Sequence, residues 1–159
     1  IQNVIDYIQI STLGNSVDFG DLSVTRNSPA GCSSPTRGVF AGGEGPLNSM
    51  DYVTIASTGN AVKFGELTQS SVNHGACSNT TRGLIVGGYA GASGRTNRIE
   101  YITIASVGNG TDFGDLTVRR DNLGTEVASQ TRAVFGAGYS TSGNVNTMDY
   151  VTIASIGDA

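Results

Sequence analysis

Few side chains in these 159 residues can do chemistry: one histidine, His74, two cysteines, Cys32 and Cys77, and 13 carboxylates against 9 basic groups. His74 lies in a polar stretch with no Cys/His cluster at metal-ligand spacing, and its counterparts eight residues before each recurrent arginine are Pro29 and Gly124. It is expected to be a solvated loop residue. Cys32 and Cys77 each precede a recurrent arginine by five residues, and Val127 holds the third such position. Facing sheets lie roughly 10 Å apart, whereas a disulfide needs Cα atoms within about 7 Å. The thiols are therefore expected to be small buried apolar groups. Asp18/Asp21 and Asp112/Asp115 resemble paired carboxylates or oxygen ligands for Ca²⁺, but the equivalent pair is Lys63/Glu66, so solvated strand edges are expected. Gly87 to Gly94 is rich in glycine yet lacks the dinucleotide fingerprint and any following Gly-Lys-Ser/Thr. The expectation is no catalytic residue, no metal and no cofactor.

The elements that carry these residues are set by composition. Gly, Ser, Thr and Asn supply 69 residues, and charged residues only 14%. A helical bundle would be rich in Ala, Glu, Lys and Leu, and a disordered chain would lack the 38% of hydrophobic residues found here in short bursts. The net charge of −4 argues against nucleic acid as the main partner. No apolar run approaches the 18 residues or so of a membrane span.

The bursts repeat. Ile5-Asp6-Tyr7-Ile8-Gln9-Ile10 recurs as Met50-Asp51-Tyr52-Val53-Thr54-Ile55, Ile99-Glu100-Tyr101-Ile102-Thr103-Ile104 and Met148-Asp149-Tyr150-Val151-Thr152-Ile153. A second block, Val17-Asp18-Phe19-Gly20-Asp21-Leu22, recurs at 62–67 and 111–116, and a third, Thr36-Arg37-Gly38-Val39-Phe40-Ala41-Gly42-Gly43, at 81–88 and 131–138. Each block is β-branched or aromatic without the helical period, so each predicts a strand. Gly14-Asn15, Gly59-Asn60 and Gly108-Asn109 are turn signals that join blocks one and two as a hairpin. A weaker fourth strand is expected before block three, near 30–34 and 76–79. Four strands in about 45–49 residues is the content of one propeller blade. Strands apolar on both faces need cover on both sides, which stacked blades provide. The Gly-rich third block suits the crowded centre of such a ring. Approximate repeats are 5–49, 50–98 and 99–147, with a partial copy at 148–159. Arg37, Arg82 and Arg132, and Asp6, Asp51, Glu100 and Asp149, recur in every copy and are expected to make charge-assisted hydrogen bonds between strands or blades.

A glycine doublet closing an apolar strand (Gly42-Gly43, Gly87-Gly88), followed by a variable loop, a Tyr-bearing strand, a short turn and an aromatic, resembles a kelch-type repeat. Phe19, Phe64 and Phe113 stand where the kelch pattern has Trp, and the third doublet is Ala137-Gly138. The resemblance implies an all-β fold of about three four-stranded antiparallel blades plus one extra strand. Three blades are fewer than the 4–8 of a closed ring. The fourth copy of block one duplicates the first, and the chain is accordingly expected to be part of a larger ring or to close by oligomerising. The wording of the repeats also resembles that of virion-associated proteins of marine bacteriophages.

The copies differ most between block three and the next block one, at 44–47, 89–96 and 139–145. Loops carry function on rigid scaffolds. These loops are expected to share a face with the connection before the weak strand, which holds His74 and Arg119-Arg120, and a partner site is placed on that face, on Tyr89, Arg95, Arg119, Arg120 and Tyr139, since Tyr and Arg are frequent interface anchors. The expected function is a non-catalytic structural or adhesion module at a virion or extracellular surface. Its expected partners are other blades of the same or a partner chain, and a host-surface glycan or protein. An oxidase or glycan-active enzyme on a kelch scaffold and an intracellular protein-interaction adaptor are the alternatives.

Overall fold

The computed structural model describes residues 2–44 and 47–159. The described residues are all-β apart from one short 3-10 turn at Gly91–Ser93. Strands β1 (Gln2–Tyr7) and β2 (Val17–Arg26) form a hairpin. Next comes a four-stranded antiparallel sheet, β3 (Ala30–Ser33), β4 (Arg37–Ala41), β5 (Ser49–Thr54) and β6 (Val62–Glu66), paired in that order. A second such sheet follows: β7 (Gly75–Ser78), β8 (Arg82–Val86), β9 (Arg98–Thr103) and β10 (Thr111–Asp115). The last sheet contains β11 (Thr125–Ala128), β12 (Arg132–Gly136) and β15 (Met148–Thr152). The miniature hairpin of β13 (Tyr139–Ser140) and β14 (Gly143–Asn144) rises between the latter two. Each four-stranded sheet thus runs from a weak strand through block three into the next copy's block one and block two, while the last sheet has three strands and ends on block one. No helix among the described residues is long and apolar enough to cross a membrane.

The doublet that ends block three has a backbone reason. Gly42 and Gly87 have φ +62°, and Gly43 and Gly88 have φ +116° and +110°. The left-handed region favours glycine, and Ala137 adopts it at φ +57° in the third copy. The second glycine is also sterically required, because a Cβ at Gly43 would lie 2.8 Å from the Asn27 carbonyl oxygen.

Successive sheets pack face to face. One core joins Cys32, Val39, Met50 and Phe64 of the first four-stranded sheet to Ile85, Ile102 and Ile104 of the second. Another joins Cys77, Leu84 and Phe113 of the second to Ala133, Phe135 and Ile153 of the last. The strands that lie side by side between sheets are β3, β7 and β11. The weak strands, not the Gly-rich third block, therefore occupy the closest approach, because their short polar and small residues let backbones come together. Ser33 N donates to Ser78 Oγ (3.1 Å), and Ser78 Oγ donates to Ser33 O (2.7 Å), across this seam.

A second seam explains why Phe-Gly and Gly-Asn recur together. A register shift in each hairpin skips Phe19, Phe64 or Phe113, as in a β-bulge, and the glycine after it receives the next turn. Gly59 N donates to Phe19 O (2.7 Å), Ala61 N to Asp21 O (2.8 Å), and Asp21 N to Asn60 Oδ1 (3.0 Å). The same three bonds link 64–66 to 108–110 and 113–115 to 157–159. The arginines form a third link: Arg37 Nη1 donates to Ile104 O (3.1 Å) and Arg82 Nη1 to Ile153 O (2.6 Å), each guanidinium lying over Tyr52 or Tyr101. Both thiols are free and buried, and burial pushes each up to about 12.

Candidate functional site

Two of the recurrent acids, Asp51 and Asp149, are held by buried arginines. Asp51 is fully buried, accepts from Ser23 Oγ (2.7 Å) and pairs with Arg26 Nη2 (2.8 Å), which itself is buried. Burial lowers the pKa of Arg26, and Asp51 partly restores it. Asp149 repeats the arrangement with Thr117 (2.6 Å) and Arg120 (3.0 Å). Arg120, expected among exposed loop residues, is thus completely buried and is removed from the binding surface. Its neighbour Arg119 is exposed; the alternation of a strand-like segment sends one inward and one outward.

The middle copy lacks the buried arginine and has Ser71 in its place. His74 takes the space instead, which corrects the expectation of a solvated loop residue: its side chain is buried, hydrogen-bonded through Nε2 to Ser71 Oγ (2.6 Å), and wedged against Gly42 and Gly88. Burial pushes its pKa down to about 4. The unfolded chain binds this proton near pH 6.5, the folded chain only near 4. Stability is therefore present above 6.5 and is lost as the pH falls through that window, by about 2 kcal/mol at pH 5 at about 1.36 kcal/mol per unit. Urea unfolding at pH 7 and pH 5 should show this difference, and His74→Leu, the residue type found at Leu123, should remove it. An unchanged difference in the variant would rule out His74 as its source.

Three predicted binding residues do converge. The Arg95 guanidinium lies 4.6 Å from the Tyr139 ring centre and 5.7 Å from that of Tyr89. Asp121 Oδ1 accepts from Arg95 Nε at 2.6 Å and fixes the guanidinium between the rings. Bridges between Tyr89 and both Val72 and Arg95, and between Asp121 and Tyr139, tie the loops together. Of the shortest variable loop, Gly45 and Pro46 lie outside the described residues.

Beside this stack opens a polar cleft of about 310 Å³ lined by Gln69, Arg95, Asn97, Arg98, Asp115 and Arg119, among others. Arg98 was missed in the sequence because it belongs to strand β9 and reads as scaffold, and Asp115, read as a solvated strand edge, lies opposite it on β10; only the three arginines at 95, 98 and 119 hinted at a basic patch in an acidic chain. Arg98 Nη1 bonds to Thr68 Oγ1 and lies 3.9 Å from Glu100 Oε1, leaving part of its head exposed. The arrangement offers planar cations, amide groups and aromatic rims. It can bind an anion with hydrogen-bonding neighbours. His74, Cys32 and Cys77 lie in packing positions rather than in this cleft. No protein-family model matches this sequence, and no curated protein matches it.

Proposed function

We propose that the chain is a non-catalytic repeat module, built of kelch-like propeller blades, that binds an acidic glycan at a virion or extracellular surface. The observation that carries this reading is the polar cleft lined by Arg95, Arg98 and Arg119, three cations against the one carboxylate of Asp115, in an otherwise acidic chain. Guanidinium groups pair with carboxylate or sulfate in a planar, bidentate way, and Gln69 and Asn97 suit sugar hydroxyls. Four-stranded meanders packed face to face, with their first strands gathered side by side, support the blade reading. Calorimetric titration with an oligouronate should give saturable, salt-sensitive binding. The Arg119→Ala exchange should weaken it at least about tenfold, or about 1.4 kcal/mol, with the circular dichroism spectrum unchanged. Equal affinity for a neutral oligosaccharide, or for the variant, would refute the assignment.

A further inference from the structure

The three links between sheets leave two faces without their counterpart. On one, Val127 stands where Cys32 seats against Gly83, yet it is 64% exposed. Arg132 lies over Tyr150 but its guanidinium reaches no carbonyl among the described residues, unlike Arg37 and Arg82. On the other face, a Cβ at Gly38 would meet only Val53, at 3.5 Å, and Ile55 is 48% exposed where Ile104 and Ile153 are fully buried. Strand β1 has one hydrogen-bonded neighbour. Along it Asp6 is exposed and unpaired among the described residues, whereas Asp51 and Asp149 are buried with arginines. Ile8 is 64% exposed, against 4% for Val151. Ile8, Ile10, Phe19 and Ile55 line an apolar cavity of about 590 Å³, and the Gly14 amide makes no bond among the described residues of the kind that Gly59, Gly108 and Gly157 make to a Phe carbonyl.

The geometry points to a second copy of this chain as the occupant, joined head to tail by strand exchange. The second copy's β11 and β12 enter beside β1, so that the sheet reads β11, β12, β1, β2, and its β15 gives up its place. The pairing already exists within the chain. Strand β12 binds Met148–Thr152 with Arg132 opposite Thr152 and Val134 opposite Tyr150, and the same register sets Arg132 opposite Gln9 and Val134 opposite Tyr7. Asp6 then meets Arg120, the Gly14-Asn15 turn docks on Gly114, Val127 seats on Gly38, and Arg132 reaches the Ile55 carbonyl. Each contact has a formed counterpart elsewhere in the chain. Exchange between identical copies replaces the β15 ladder strand for strand, with Ile8 and Ile10 taking the places of the buried Val151 and Ile153, and the burial of Ile55 and Val127 is net gain.

Sedimentation equilibrium of the full chain tests this. The wild type should have at least twice the monomer mass. Ile8→Asp and Val127→Asp, both at positions exposed within one copy, should each sediment as folded monomers. Mixed in equal amounts they should form a one-to-one pair and nothing larger, because each supplies the face the other lacks. A monomeric wild type, assembly by either variant alone, or a mixture that remains monomeric would overturn the exchange. None of these outcomes bears on the glycan cleft, which lies on other residues.

Discussion

Replacing Arg120 with alanine is expected to lower the unfolding free energy by about 3–5 kcal/mol, the cost of leaving a buried charge without its partner. Arg120 is fully buried; its Nη2 donates to Phe135 O at 3.1 Å and pairs with Asp149 at 3.0 Å. Removal leaves the Asp149 carboxylate supported by Thr117 alone, in the core that joins the last two sheets. The loss corresponds to a fall of about 10 °C in the melting temperature for a domain of this size. Arg119→Ala, one residue away and exposed, should stay within about 0.5 kcal/mol. Chemical unfolding followed by far-ultraviolet circular dichroism separates the two. Equal costs would show that the pair contributes nothing special. Replacing both partners, as Arg120→Met with Asp149→Leu, should recover most of the loss, since an apolar pair of similar volume leaves no orphan charge.

The second large effect is steric and one-sided. A Cβ at Gly65 would lie 2.0 Å from the carbonyl oxygen of Gly108 and 2.5 Å from its carbonyl carbon, whereas one at Gly108 would meet nothing within 4 Å. Gly65→Ala must push the Gly108 turn off the strand and stretch the bonds from Gly108 N to Phe64 O (2.9 Å) and from Glu66 N to Asn109 Oδ1 (3.0 Å). A cost of about 3 kcal/mol is expected, at the upper end for overpacking. Gly108→Ala, on the other side of the same contact, should be close to neutral. Hydrogen exchange at Gly108 and Gly110 reads the result locally: protection should drop in the first variant and persist in the second. Similar behaviour of both would mean that the turn does not bear on the strand as described.

The scaffold was legible in the sequence because strand formation is local. Alternating β-branched and aromatic residues, cut by Gly-Asn turns and glycine doublets, specify hairpins through dihedral preference and side-chain alternation alone. Recurrence of Arg37 and Arg82 likewise announced a repeated link, and both reach carbonyls of the neighbouring sheet. The convergence of Tyr89, Arg95 and Tyr139 followed from loop length, since loops of one kind leave a repeated scaffold on one side.

What tertiary structure alone decided is which polar groups go inside. Arg119 and Arg120 are identical in type and adjacent, and only the position of Asp149, 29 residues beyond Arg120, sends one inward. His74 looked like a loop residue because the vacancy it fills, left by Ser71 where two copies have arginine, exists only between packed sheets. Arg98 and Asp115 joined the cleft because strand pairing across β9 and β10 sets them opposite one another. Burial, charge pairing and the sharing of a cleft depend on distances between residues far apart in the chain, and a local pattern of residue types carries no such distances.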